Sequence, residues 1–152
     1  MAYTAAEGRK ELLDALGDAT DSLALAVASL SEAYELLDET TADRLEEQLF
    51  RPVQQAYGRA RRAHAEFSAA HRMALRSFAP RGGGVPSTGV KGFVEHAVEA
   101  VEDADNALGE LQDSMLPVEV GDRTLQDGIS EVRRLIGDVP ARAQQLIRAF
   151  GR

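Results

Sequence analysis

Apolar residues recur along this chain at alternating steps of four and three, the spacing that keeps side chains on one face of a helix. In the first stretch Leu16, Leu23, Leu30 and Leu37 form one series, and Leu12, Ala19, Ala26 and Ala33 run beside them. A third line, Leu13, Thr20, Val27 and Tyr34, widens the stripe to what a bundled helix needs. Leucine on one line and alanine on the next lets a partner helix approach closely, toward the short end of the ~8–10 Å range. Thr4-Ala-Ala-Glu7 is a capping-box pattern. The first helix is therefore expected over about 4–38, with Glu39-Thr40-Thr41 as the turn.

The same rhythm predicts three more helices. The second, about 42–78, carries Leu49, Ala56, Ala63, Ala70 and Val53, Ala60, Phe67, Ala74, flanked by Phe50, Tyr57, His64, His71 and Phe78. Pro52 removes a backbone donor there and implies a kink. Three glycines between Pro80 and Pro86 make 79–86 a loop. The third helix, about 87–116, opens at a Ser87 cap and carries Val94, Val101, Leu108, Met115 and Ala97, Ala104, Leu111. The fourth, about 123–150, carries Leu125, Val132, Val139, Leu146 and Ile129, Ile136, Ala143, Phe150, and its spacing runs through Gly137 and Pro140 as through a kink. Short connections make consecutive helices antiparallel. The expectation is an all-α, up-down-up-down four-helix bundle, one domain over 1–152.

Composition narrows the function more than it defines it. The chain has no cysteine, which removes disulfides and thiolate metal sites. Its first residues contain no apolar signal segment, and its longest apolar run is far shorter than a membrane span, so a cytoplasmic location is expected. Fifteen arginines stand against two lysines, a bias read as that of a GC-rich bacterial genome. The net charge of −8 makes nucleic acid an unfavoured partner overall.

No catalytic constellation is legible. Neither Glu-x-x-His nor His-Glu-x-x-His occurs, and no metal or cofactor is expected. Gly84-Val-Pro-Ser-Thr-Gly89-Val-Lys91 lacks the lysine directly after the second glycine that a phosphate loop requires. Tyr34-x-x-x-Asp38 matches a short motif of type seven secretion substrates, but the Trp-x-Gly turn of those hairpins is absent.

Two surfaces remain as candidates. Up-down-up-down order would gather Arg72, Arg76, Arg81, Lys91, His71 and His96 at one basic end, opposite an acidic end, as an anion site beside the glycine loop. It would also leave Leu37, Leu45, Leu49 and Phe50 uncovered at the tip of a longer first hairpin, as a surface for a second copy or another protein. The leading expectation is a non-enzymatic bundle acting through protein–protein contact as adaptor, regulator or scaffold, in a homodimer. The alternative is a binding protein for an anionic ligand or nucleic-acid phosphate.

The alanine line generates one expected outcome. Ala26→Leu overpacks a close helix–helix contact and should lower stability by ~1–3 kcal/mol, read from the urea midpoint. An unchanged midpoint would place this line on the surface.

Overall fold

The fold is seen in a computed structural model that describes residues 4–79 and 89–150. Every regular element among these is helical. Helix α1 spans Ala5–Glu35, opened by the Thr4 hydroxyl accepting from the Glu7 amide at 3.1 Å. Helix α2 spans Glu39–Leu45, a π-helical turn follows over Glu46–Phe50, and α3 continues over Arg51–Ala70. Then come α4 (Gly89–Asp113), the single turn α5 (Leu116–Glu119), α6 (Arg123–Ile136) and α7 (Val139–Phe150).

Local chemistry explains where these boundaries differ from expectation. The cap of α2 is Asp38, which accepts from the Thr41 amide at 2.9 Å, so helix begins three residues earlier than the expected start at 42. That amide, and then the Thr41 hydroxyl, hold the Asp38 carboxyl below its ordinary pKa. Pro52 neither kinks nor stops its helix alone. Its ring would press the carbonyl four residues back, and the π turn just before it widens the backbone, with the Arg51 amide donating to the Glu46 carbonyl. In the last rod the helix pauses at Gly137-Asp138 and restarts, with Pro140 in the first turn of α7, where a missing N–H costs little. The Ser87 cap and the loop 80–86 lie outside the described residues.

The apolar series occupy the core. From Leu12 to Ala33 every residue of the first two series is at most 1% exposed, Ala26 included. Leu49, Val53, Ala56 and Ala60 of the second rod, Val94 to Leu108 of the third and Leu125 to Leu146 of the fourth join the same buried cluster. Met115, the last residue of its series, is exposed, and so are Ala70 and Ala74.

The directions of the rods differ from expectation. The start of α1 meets the end of the third rod, because the Arg9 Nε donates to the Val120 carbonyl and Gly8 abuts Leu116 and Val120. At its other end α1 meets the π turn through Tyr34 and Phe50, whose ring centres are 6.3 Å apart. Along α3 and α6, Arg59 pairs with Glu131 and His71 with Asp122. Along the third and fourth rods, Gln112 bonds Ser130, Asp105 pairs with Arg133, and Glu95 faces Ile147 across a shallow cleft. The order is therefore up, down, down, up, with α1 packed against both α3 and α4, and α6–α7 against the same two. The expected up-down-up-down order is corrected.

The correction has a physical cause at residues 71–73. Instead of running to Phe78, the second rod ends in a Schellman turn: the Met73 amide donates to the Ser68 carbonyl at 2.8 Å, the Arg72 amide to Ala69, and Arg72 takes φ 53°. No glycine or proline signals this end. Residues 73–79 then leave helix and double back along the groove between α1 and α3. Met73 lies near Ala6 and Leu13, Arg76 reaches Asp18 and Asp21, and Ala79 lies near Ala24 and Leu25. Met73 and Phe78 pack on the core from outside. The 25 residues of α4 measure roughly 37 Å. Residues 71–88 can span that length, at up to ~3.3–3.6 Å each, whereas an eight-residue loop could not.

One packing device recurs three times. An arginine from one element lies across a glycine of the next and ion-pairs beside it. Arg59 covers Gly128 and pairs with Glu131 at 2.9 Å, Arg133 covers Gly109 and pairs with Asp105 at 2.8 Å, and Arg76 covers Gly17 and pairs with Asp18 and Asp21. These helical glycines give up helix propensity for room to seat a guanidinium. A Cβ on Gly128 would stand 3.1 Å from both the Arg59 guanidinium and the Ala63 Cβ, and the latter is fixed to backbone. Gly128→Ala should therefore lose ~1–3 kcal/mol. Gly58→Ala, on the same pair of rods but with nothing within 4 Å, should gain ~0.5–1 kcal/mol. Urea denaturation of the two variants checks the contrast, and equal effects would refute the seating of Arg59.

Candidate functional site

The six residues of the expected basic end do not come together. His71 and Arg72 sit at the end of α3, beside the start of α1. Lys91 and His96 belong to the first turns of α4, at the far end of the rods, on the order of 30 Å away. Arg76 lies between, paired with Asp18 and Asp21, and Arg81 lies outside the described residues. The separation of charge also dissolves. Asp122 stands 3.5 Å from His71, and Arg9 reaches the carbonyl of Val120, the residue after Glu119 in the chain, so acidic residues share the end assigned to basic ones. The cause is the reversed direction of α4.

The expected apolar tip is covered as well. Leu45 and Leu49 are fully buried, while Leu37 and Phe50 are partly buried against the core. α7 packs on the π turn and closes this end. Exposed large apolar side chains among the described residues are Leu36, Leu75, Met115 and Val118, set at three separate places along the fold.

The doubled-back segment creates a different site. Between it and α3 runs an open groove of about 460 Å³. Gly58, Arg61, Arg62 and Ala65 form one wall, at the spacing of a single helix face, and Leu75, Arg76, Ser77 and Phe78 form the other. His64 lies at its base, 2% exposed, with its ring edge-on to Phe78 at 5.0 Å and 83°. The His64 Nδ1 is buried and has no hydrogen-bond partner among the described residues. Burial, and then the Arg76 charge, push the His64 pKa below its ordinary value of 6.5 against an opposing pull from Asp14.

The three arginines of the groove are differently engaged. Arg76 is held by its two carboxylates and stacks over Phe78 at 5.4 Å. Arg62 stands 3.9 Å from Glu66, an exposed pair of little strength. Arg61 leans on the Tyr57 ring at 5.3 Å and has no carboxylate partner among the described residues. A second hollow of about 420 Å³, lined by Ala6, Arg9, Lys10, Leu13, Asp14, His71, Met73 and Ala74, is also cationic. There Arg9 already donates to the Val120 carbonyl and Lys10 to Asp14, while Asp122 stands 3.5 Å from the His71 ring. The groove over His64 therefore keeps the more available positive charge.

Sequence reasoning missed this groove because Arg61 and Arg62 fall off the apolar lines and read as solvated surface. His64 carried the one usable signal, a histidine on a line with aromatic residues.

Among the described residues no cluster of three or more His, Cys, Asp or Glu side chains is placed to hold a metal. No helix among them is long and apolar enough to cross a membrane. Set against family models, curated proteins and solved structures, the chain shows no match to any of them.

His64 makes stability depend on pH with a definite sign. Its folded-state pKa is lowered, so the unfolded chain binds the proton more readily. Its contribution is complete above about pH 6.5 and is lost as pH falls through the folded-state value. The urea midpoint should drop between about pH 7.5 and about pH 5.5, and His64→Leu should reduce that drop. An identical pH dependence in the variant would show that His64 is not buried neutral.

Proposed function

We propose that the protein binds a small anion, without catalysis, in the groove between α3 and residues 75–78. The observation that carries this reading is the convergence of Arg61, Arg62 and Arg76 on one groove, with Arg61 left without a carboxylate among the described residues. Guanidinium groups offer planar pairs of donors that match sulfate, phosphate and carboxylate oxygens. The apolar flank of Leu75 and Phe78 lowers the local dielectric and strengthens such bonds. The scaffold is a four-helix bundle of up-down-down-up order, whose Schellman turn aims the segment back over α3. This reading keeps the anionic ligand of the alternative expectation and, of its residues, Arg76, and adds Arg61 and Arg62. Contact with a partner protein or a second copy had been tied to Leu37, Leu45, Leu49 and Phe50, and their burial removes that support.

Calorimetry and thermal shift with sulfate and pyrophosphate at low ionic strength test the proposal. Binding should weaken with added sodium chloride. Arg61→Glu should weaken it by about tenfold or more, the scale of one charge-assisted hydrogen bond. Lys91→Glu, at the far end, should leave it unchanged apart from a small long-range effect. Absence of binding at low salt, or equal effects of the two substitutions, would reject the groove as the site.

A further inference from the structure

We infer that the groove takes up a proton together with its anion, and that His64 is the group that receives it. The inference rests on the anion reading above and adds to it a coupling between ligand and pH.

The reasoning starts from what keeps His64 neutral. Its ring is sealed beneath Phe78, and the Nδ1 has no partner among the described residues to offset a buried charge. The charged groups facing this region come from all three elements around it. From α1 come Asp14, Asp18 and Asp21, from α3 come Arg61, Arg62 and Glu66, and from the doubled-back segment comes Arg76. Asp18 and Asp21 are engaged by Arg76, Glu66 stands 3.9 Å from Arg62, and Asp14, itself paired with Lys10 of α1 at 3.0 Å, is the carboxylate whose charge draws a proton toward the ring. The buried position of the ring is a poor environment for an imidazolium because it is desolvated and lies near Arg76.

An anion held by Arg61 and Arg62 changes this balance. It places negative charge at the mouth of the same groove whose base is His64. Opposite charge within ~4–6 Å favours the protonated imidazole, and it also offsets the repulsion from Arg76. No direct contact between anion and ring is required. The proton comes from solvent, adds to a ring nitrogen of neutral His64 and gives an imidazolium with no other bond changed. By linkage, whatever an anion does to proton affinity, protonation does equally to anion affinity.

Sulfate is the probe, since it does not itself titrate in this range. The His64 Cε1–H resonance of the full chain is followed by NMR across about pH 4.5–8.5, with and without sulfate, at ionic strength held constant by sodium chloride. His64 is assigned on the isotope-labelled wild-type chain by through-bond correlation of its ring to its own backbone. Sulfate should raise the His64 pKa by about half a unit or more while leaving His96, at the far end of the rods, unmoved. Calorimetry should then show higher affinity at about pH 5.5 than at about pH 7.5, approaching at most about threefold for a half-unit shift, a ratio that falls toward one in His64→Gln. If sulfate binds in an Arg61-dependent way and the His64 titration does not move, the coupling is overturned and the anion site stands. If sulfate binds at neither pH, both fall. The wild-type titration reads the coupling without any variant, so a failure of His64→Gln to fold does not shield the inference.

Discussion

The turn at His71-Arg72-Met73 is the constraint on which the arrangement of helices depends. Three amide-to-carbonyl bonds close it, and a non-glycine residue accepts a left-handed backbone there. For a β-carbon-bearing residue that conformation costs ~1–2 kcal/mol. It is offset by placing Met73 and Phe78 against the core and Arg76 against two carboxylates. Once the chain leaves helix at this point, it has enough length to return along the rods, and α4 starts at the opposite end. The order of the rods, the neighbours of α1, and the groove over His64 all follow.

Close approach between rods is achieved by two means. Alanine lines admit neighbouring helices at short range, which is the ordinary route. Glycines at 17, 109 and 128 admit something bulkier, an arginine lying flat across the neighbouring backbone. Each arginine then satisfies a carboxylate at the edge of the core. Charged side chains thus serve as packing material, with apolar stems that cover the helix and heads that remain paired. In a chain with fifteen arginines and two lysines, this use of arginine is physically apt, because a planar guanidinium fits a flat notch better than an ammonium does.

The same geometry redistributes charge. With α4 reversed, acidic and basic residues mix along the rods. The groove gathers a local positive charge at Arg61, Arg62 and Arg76 above a buried histidine whose pKa is lowered. A net charge of −8 says nothing of such a site, because screening in salt confines each group's influence to about 8–10 Å.

Much of the core was legible in the sequence. The series from Leu12 to Ala33, Leu49 to Phe67, Val94 to Leu108 and Leu125 to Leu146 are buried because helical periodicity alone decides which side chains share a face. The capping hydroxyl of Thr4 was legible for the same local reason. Periodicity does not say which way a rod points, since a line of apolar residues reads alike in both directions. That choice lay with the end of α3, where residues 72–78 are good helix formers and only the burial of Met73 and Phe78 draws them out of helix. The groove, the placement of Arg61 on its wall and the lowered pKa of His64 depend on that segment lying on α3, so they were decided by tertiary packing.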